Sequence, residues 1–384
     1  MMSNESRLSS TASPQTEVHL PWRDTNCSPL SGNELRNLVI ETALKEEELG
    51  EDEYLDVPGI AWMEHINLIV GHDKSDEDVA KSFYIDTIGM TRDKGKSFHV
   101  NLGRQQFHLA TPKRPDEIPH RIHGSVGLVV PDLDTLWDRL EEAKQSGTFE
   151  DTLFDYYKEE ADGTSSVVHV RCPWGNVFRC YPASDRGTSS GTAAVEASPQ
   201  KMTTLHSPQI GIHGADKMGV LNVGGPGIRF VEFLLPSGVD PRDICEFYKD
   251  TVKCSASVET TPSGVDCCVV SVGHSHLVYL QSNMKESKEK EQEFFDQMKG
   301  IHICIYAQNF KSLYERLSDR KLVWTNPRFT HLDQCDTWED AKNSRTLRFR
   351  HIADAENNVL MEVEHETRPL RHGQFMKVPY YVPK

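Results

Sequence analysis

The 384-residue sequence predicts an α+β protein made of four βαβββ units that form two barrel-like modules. Three observations predict it. The chain repeats itself: FYIDTIGM at Phe83 to Met90 is matched by FYKDTVKC at Phe247 to Cys254, and LWDRL at Leu136 to Leu140 by LYERL at Leu313 to Leu317. The matches keep their order and context, as an internal duplication does. Each repeated block also splits into two units that open with a strand running into a helix. The intervening strands alternate apolar and polar residues, so one face of each sheet packs on helix and the other stays polar.

The elements follow in order. Residues 1–57 are rich in Ser, Thr, Pro and acidic groups and read as a flexible tail, with one helix from Asn33 to Glu48 presenting Leu35, Leu38, Ile40 and Leu44. Residues 58–182 form the first block. A polar stretch makes 183–225 a linker, 226–369 form the second block, and 370–384 a C-terminal tail. Four helix starts are legible. Ser75 precedes Val79, Phe83 and Ile88, and Asp132 precedes Leu133, Leu136 and Leu140. Asp240-Pro241 places a cap before a first-turn proline, and Asn309 precedes Phe310, Leu313 and Leu317. Tyr84 and Tyr248 fall on helices as packing residues.

Composition narrows the function classes. A net charge of −16 argues against nucleic acid or an anionic membrane as partner. No apolar run reaches membrane-spanning length. The N-terminus, with Glu5, Glu17 and Asp24, lacks a signal-peptide core. Nine cysteines without a CxxC pair read as reduced thiols of a cytoplasmic protein.

The strand openings EHINLIV (Glu64 to Val70) and GIHICIY (Gly300 to Tyr306), with the endings PWGNVFRCY (Pro173 to Tyr181) and DAENNVLMEVE (Asp354 to Glu364), carry a family resemblance. Both blocks resemble the vicinal oxygen chelate superfamily of glyoxalases, bleomycin-resistance proteins and extradiol dioxygenases. The resemblance implies two metal-facing slots per unit, at the start of the first strand and the middle of the last. Alternation then selects the inward residues. Ile66, Leu68 and Val70 pack outward, leaving His65 inward; Phe107 and Leu109 leave His108 inward. Unit two offers Ser125 and Arg179, unit three Arg229 and Tyr279, and unit four His302. In the closing strand, alignment on Asn358 points to Met361. Alternation points to Glu362, which is preferred because the other register would bury carboxylates against a helix.

Two pairings of the units remain open. Consecutive pairing leaves two half-sites, His65/His108/Ser125/Arg179 and Arg229/Tyr279/His302/Glu362. Crossed pairing, similar to that of single-chain four-unit glyoxalase I enzymes, gathers His65, His108, His302 and Glu362 in one cup, and it is preferred. Such a set implies a divalent transition metal (Zn, Ni, Co, Fe or Mn), with Glu362 as general base. Arg179, Arg229 and Tyr279 would contact a small-molecule substrate, or pair with local acids. A glyoxalase I-like isomerase or lyase is the first expectation, although glyoxalase I enzymes carry a carboxylate where His108 stands. An Fe(II) extradiol dioxygenase and a metal-free binding protein are the alternatives, since the fold hosts many chemistries. The repeat permits a monomer, with a homodimer as the other possibility.

Overall fold

The computed structural model describes residues 49–50, 53–93, 95, 97–103, 105–159, 167–182, 227–260, 264–273, 275–282 and 288–375. The Asn33 to Glu48 helix, most of the two tails, the 183–225 linker and His274 lie outside these residues.

Unit one contributes β1 (Ile60–Ile69), β2 (Thr91–Arg92), β3 (His99–Leu102) and β4 (Gln105–Ala110). Unit two contributes β5 (Gly124–Val130), β6 (Asp155–Glu159), β7 (Val167–Arg171) and β8 (Val177–Pro182). Unit three contributes β9 (Gly227–Leu234), β10 (Ala256–Thr260), β11 (Asp266–Val272) and β12 (Ser275–Leu280). Unit four contributes β13 (His302–Ala307), β14 (Leu347–Ala353) and β15 (Val359–Pro369). In place of a second strand, unit four keeps only an isolated bridge between Val323 and Phe349.

The first strands decide the architecture. β1 pairs antiparallel with β13, giving a seven-stranded sheet ordered β14-β15-β13-β1-β4-β3-β2. β5 pairs antiparallel with β9, giving an eight-stranded sheet ordered β10-β11-β12-β9-β5-β8-β7-β6. Units one and four therefore share one sheet and units two and three the other. This is the crossed pairing.

Among the described residues six helices accompany the strands: α1 (Glu77–Lys81), α2 (Leu133–Gln145), α3 (Pro241–Phe247), α4 (Lys288–Met298), α5 (Phe310–Asp319) and α6 (Trp338–Ser344). α1 and α3 each widen into a π turn, over Ser82–Thr87 and Tyr248–Val252. Asp132 caps α2 by accepting from the Asp134 and Thr135 amides, and Asp240 caps α3 ahead of Pro241. Two expected caps differ. Asp73, not Ser75, makes the capping bond, accepting from the Ser75 amide at the head of a short 3-10 turn. Asn309 turns its amide to the Val252 carbonyl at 3.0 Å, so a tertiary partner replaces the cap bond.

One continuous apolar core fills the helix-covered faces, from Ile66, Leu68, Phe83 and Phe107 to Phe233, Phe247, Leu313 and Phe349. The other face of the seven-stranded sheet is polar, and that of the eight-stranded sheet mixes an apolar cluster of Val167, Tyr181, Phe230, Cys267, Val269 and Val278 with buried Ser125, Glu232 and His276. Buried Gln105 joins the two sheets. Its Nε2 donates to the Met63 carbonyl at 2.9 Å and to Ser275 Oγ at 3.1 Å, and its Oε1 accepts from the Ile228 amide at 2.5 Å. No helix among the described residues is long and apolar enough to cross a membrane.

Candidate metal centre

The polar face of the seven-stranded sheet brings together residues from both ends of the chain. Register places His65 of β1 opposite Cys304 of β13, and Cys304 opposite Glu366 of β15; His302 lies opposite Asn67 and Glu364. Ligand atoms of His65, His302 and Glu366 lie within 4.8 Å of one another. All three residues are buried, at 0%, 2% and 3% exposure.

Two of the expected ligands, His65 and His302, therefore meet. The expected carboxylate does not join them. Glu362 sits half-buried beside Arg350 and His351, at 3.6 and 3.8 Å, and Glu366 stands at the histidines instead. Glu362, Glu364 and Glu366 share a face because β15 continues to Pro369. Alternation identifies the face but not the height along it, and the motif that suggested Glu362 ends at Glu364. The persisting polar period through Glu366 and Arg368 was the available signal. His108 is close but turned. Its ring stacks between His65 and His99, 3.6 Å from each, and its Nε2 meets Gln106 Oε1 at 3.0 Å.

Hydrogen bonding prepares the His65 ring as a ligand. Glu64 Oε1 lies 3.2 Å from Nδ1, and Glu64 is fixed by Arg368 at 2.9 Å and by the Tyr306 hydroxyl at 2.6 Å. Burial pushes the Glu64 carboxyl up, but Arg368 and His65 outweigh it and keep it ionised. An ionised carboxylate only accepts, so Nδ1 is the donor in this contact. The ring's Nε2 is buried without a hydrogen-bond partner and faces Glu366 Oε2 at 3.7 Å. His302 Nε2 lies 3.4 Å from the same oxygen, and His302 Nδ1 is buried without a partner. Burial, followed by Arg348, holds the His302 imidazole well below its usual range and hence neutral. A neutral His302 imidazole beside an ionised Glu366 carboxylate is the protonation state that metal binding requires of that pair.

Two guanidiniums frame Glu366. Arg348 reaches Glu366 at 2.7 Å, Glu364 at 2.6 Å and Asp333 at 2.6 Å, and Arg368 bridges Glu366 and Glu64. Burial raises the Glu366 carboxyl, but Arg348 and Arg368 outweigh it and hold it well below the carboxylate range. Burial pushes Glu364 up, and its partners Arg348 and Asn326 offset only part of the rise. With all groups ionised, four carboxylates (Glu64, Asp333, Glu364, Glu366) face two guanidiniums, an imbalance that a divalent cation would neutralise.

A short segment covers this centre. Asn326 donates to both Glu364 oxygens, at 3.0 and 2.8 Å, and the Phe329 ring lies over the Arg348 guanidinium at 4.8 Å and edge-on to His302 at 5.7 Å.

Of the residues expected in the second cup, Arg179, Arg229 and Ser125 lie beside local partners and Tyr279 lies outside it. Arg179 lies 4.0 Å from Glu159, which also holds His169 at 2.8 Å; Arg229 stacks over Tyr181 at 4.8 Å. Ser125 donates to Glu232 at 2.5 Å. Tyr279 is on the helix-covered face, where its hydroxyl meets that of Tyr248 at 2.5 Å, and Tyr248 meets His365 at 2.7 Å. The strand SHLVYL is apolar on both faces, so alternation offered no contrast there. Of the other histidines, His123 packs on Phe294 and His351 pairs loosely with Glu362.

No family model and no curated protein matches the sequence. Among solved structures, the chain is similar to a Bacillus subtilis protein assigned as a dioxygenase (14% identity, 85% of this chain and 93% of that one, TM-score 0.44). It is similar to glyoxalase I from Zea mays (12% identity, 80% and 92%, TM-score 0.44). It is also similar to 2,2',3-trihydroxybiphenyl 1,2-dioxygenase from Sphingomonas wittichii (15% identity, 81% and 91%, TM-score 0.25). At such scores the chemistry of the site rests on its own side chains. The strand order of its units, each opening strand beside the unit's last and joined to the opening strand of a second unit, gives this chain a vicinal oxygen chelate-type fold.

Proposed function

We propose that this chain is a metal-dependent enzyme in which His65, His302 and Glu366 hold a divalent transition-metal ion that takes a small substrate through two adjacent oxygens. One observation carries the reading. His65 Nε2, buried without a hydrogen-bond partner, lies 3.7 Å from Glu366 Oε2, and His302 Nε2 lies 3.4 Å from the same oxygen, a buried convergence of ligand atoms that suits a cation. When bound, the ion would supply Lewis-acid polarisation of a substrate oxygen.

The chain's own residues supply the rest. Glu64 sets the tautomer of His65, Arg348 and Arg368 orient Glu366, and Asn326 and Phe329 shield the centre from water. Two histidines and one carboxylate form the donor set of non-haem Fe(II) oxygenases, which favours the extradiol reading over the isomerase. The isomerase needs a free base beside the ion, and Glu362, the residue expected in that role, points elsewhere.

The test begins with elemental mass spectrometry on untagged protein reconstituted anaerobically with Fe(II), and in parallel with Zn, Ni, Co and Mn. About one ion per chain is expected, with oxygen uptake on catechols for the iron form. Isomerisation of a hemithioacetal by the nickel, cobalt or zinc form, without oxygen uptake, would instead select the glyoxalase-type reaction. No ion under any condition would leave the metal-free binding protein.

A further inference from the structure

Away from the metal centre, the described cysteines are buried free thiols, and one pair stands apart. Burial pushes the Cys172, Cys180 and Cys254 thiols up, as it does for any acid that must ionise away from water. Cys245 goes the other way. It sits in α3, which packs on β11, and its sulfur is hydrogen-bonded to that of Cys268 in β11 within the shared core. Lys249, exposed one turn further along, donates to the same sulfur and adds its charge. The Cys268 hydrogen bond, helped by Lys249, outweighs burial and lowers the Cys245 thiol. Cys268 is raised by the same bond, in which it is the donor, and by burial. The neighbouring thiols are engaged elsewhere. Cys254 Sγ donates to the Tyr248 carbonyl at 3.7 Å, and Cys267 Sγ, on the opposite face of β11, donates to the Glu259 carbonyl at 3.3 Å.

We propose that Cys245 and Cys268 form a site of oxidative modification, at which hydrogen peroxide joins them as a disulfide. The site lies apart from the metal centre and does not depend on the metal-binding reading. Cys245 is the nucleophile, because the thiolate and not the thiol attacks. Its sulfur bonds to one peroxide oxygen, the O–O bond breaks, and the departing hydroxide takes a proton from solvent to leave as water. The sulfenic acid so formed lies beside Cys268. The Cys268 sulfur attacks that of Cys245, the S–O bond breaks, and the departing hydroxyl takes the Cys268 proton as a second water. The two sulfurs together lose two electrons, and the peroxide gains them. Side chains already in hydrogen-bond contact need only close to the S–S length of about 2.05 Å. The product staples α3 to β11. The bland alternative is a pair of small core residues that fill space beneath a helix.

The full-length chain, treated with hydrogen peroxide at neutral pH, distinguishes them. Remaining thiols are blocked with N-ethylmaleimide, and crosslinked peptides are mapped by mass spectrometry without reduction. Trypsin releases Cys245 within Asp243 to Lys249, while Cys254, Cys267 and Cys268 share one peptide that cleavage before Asp266 and fragmentation resolve. The expected product is a single crosslink, Cys245 to Cys268, that dithiothreitol removes. In untreated protein, alkylation of Cys245 should have a pH midpoint below the ordinary thiol value of about 8.5. Lys249→Gln, a surface change that leaves both thiols in place, should raise that midpoint and slow the crosslinking. The wild-type crosslink needs no variant, so it decides even if a substitution disturbs folding. A folded chain that yields no crosslink overturns the proposal, as does a Cys245 sulfenic acid that dimedone traps without crosslinking. A crosslink from Cys245 to Cys254 or Cys267 overturns it too, and so does an alkylation midpoint at or above the ordinary value.

Discussion

At the scale of single residues, the centre turns on which carboxylate faces the two imidazoles. Glu362, Glu364 and Glu366 repeat at the strand period on one face of β15, yet their surroundings differ entirely. Glu362 meets Arg350 at the half-exposed end, Glu364 is held by Asn326 and Arg348, and only Glu366 reaches His65 and His302. Glu366→Gln should therefore lower metal affinity by at least roughly tenfold, whereas Glu362→Gln should leave it unchanged. Metal titration of both purified variants checks this, and equal losses would sink the assignment of Glu366. The face was legible in the sequence because Met361 and Val363 contrast with their acidic neighbours. The height was not, because it depends on pairing across strands. His302 opposite Glu364 and Cys304 opposite Glu366 set it, and the irregular register between Phe349 and His351 on β14 shifts it further. His302 was legible because it opens β13 just after a glycine boundary, and His65, in the middle of β1, because its apolar neighbours Ile66 and Leu68 mark the opposite face. His108 was legible as inward-facing, but its stacking between His65 and His99 depends on a third strand that no local pattern predicts.

At the scale of elements, the segment between α5 and α6 does what the missing strand of unit four would not. A paired strand there would hold its backbone to β14, but only Val323 bridges Phe349. The residues that follow fold over the centre in successive turns, with the Phe329 amide bonded to Asn326, and the Leu332 and Asp333 amides to Phe329. Three side chains tether the segment: Asn326 to Glu364, Phe329 to the Arg348 guanidinium, and Asp333 to Arg348 at 2.6 Å. His65, His302 and Glu366 are all buried, and on the proposed function a substrate would need this cover to open. Asp333→Asn keeps the shape but removes the charge of one tether, worth about 1.5–3 kcal/mol for a hydrogen bond to a charged group. Amide hydrogen exchange of Phe329, Leu332 and Asp333 should then quicken roughly tenfold or more, with β13 and β15 unchanged. Acceleration spread evenly over both strands would mean that the segment is part of the core and not a cover. None of this was legible in the sequence, where Trp324 to Thr337 shows no period. The helix starts were legible where a cap acts within its own turn, as at Asp132 and Asp240. They were misread where a buried side chain found a distant partner, as Asn309 did in the Val252 carbonyl.

At the scale of the whole molecule, each sheet is completed by strands from opposite halves of the sequence, so neither half closes its own cup. The seams are buried and carry histidines kept neutral by their surroundings. His120 accepts the Ile69 amide at 3.0 Å through Nδ1, while its carbonyl is held by Asn176. Burial, then Arg328, lowers its imidazole to about 4, against the opposing pull of Glu117. His276, in the second cup, has both ring nitrogens buried without a hydrogen-bond partner, and burial with Arg229 lowers it likewise to about 4. The ordinary value, which the unfolded chain recovers, is 6.5. Above that pH both rings are neutral in either state, and their contribution to stability is fully present. As pH falls from 6.5 toward 4, the unfolded chain takes up protons that the folded chain refuses, so stability is lost across that window and levels off below it. Each ring contributes on the order of 3 kcal/mol at most, since a tenfold difference in proton affinity between the two states is worth about 1.36 kcal/mol. Denaturant unfolding of metal-free protein at pH 7.5, 6 and 5 should show midpoints falling steadily, with secondary structure and tertiary packing lost together because the sheets are interleaved. Replacing His276 by Gln should flatten part of that slope without altering metal binding, as His276 is in the other cup. A midpoint constant from pH 7.5 to 5 would mean that these rings find protonated partners on folding, and the seams would then be held by something other than neutral histidine.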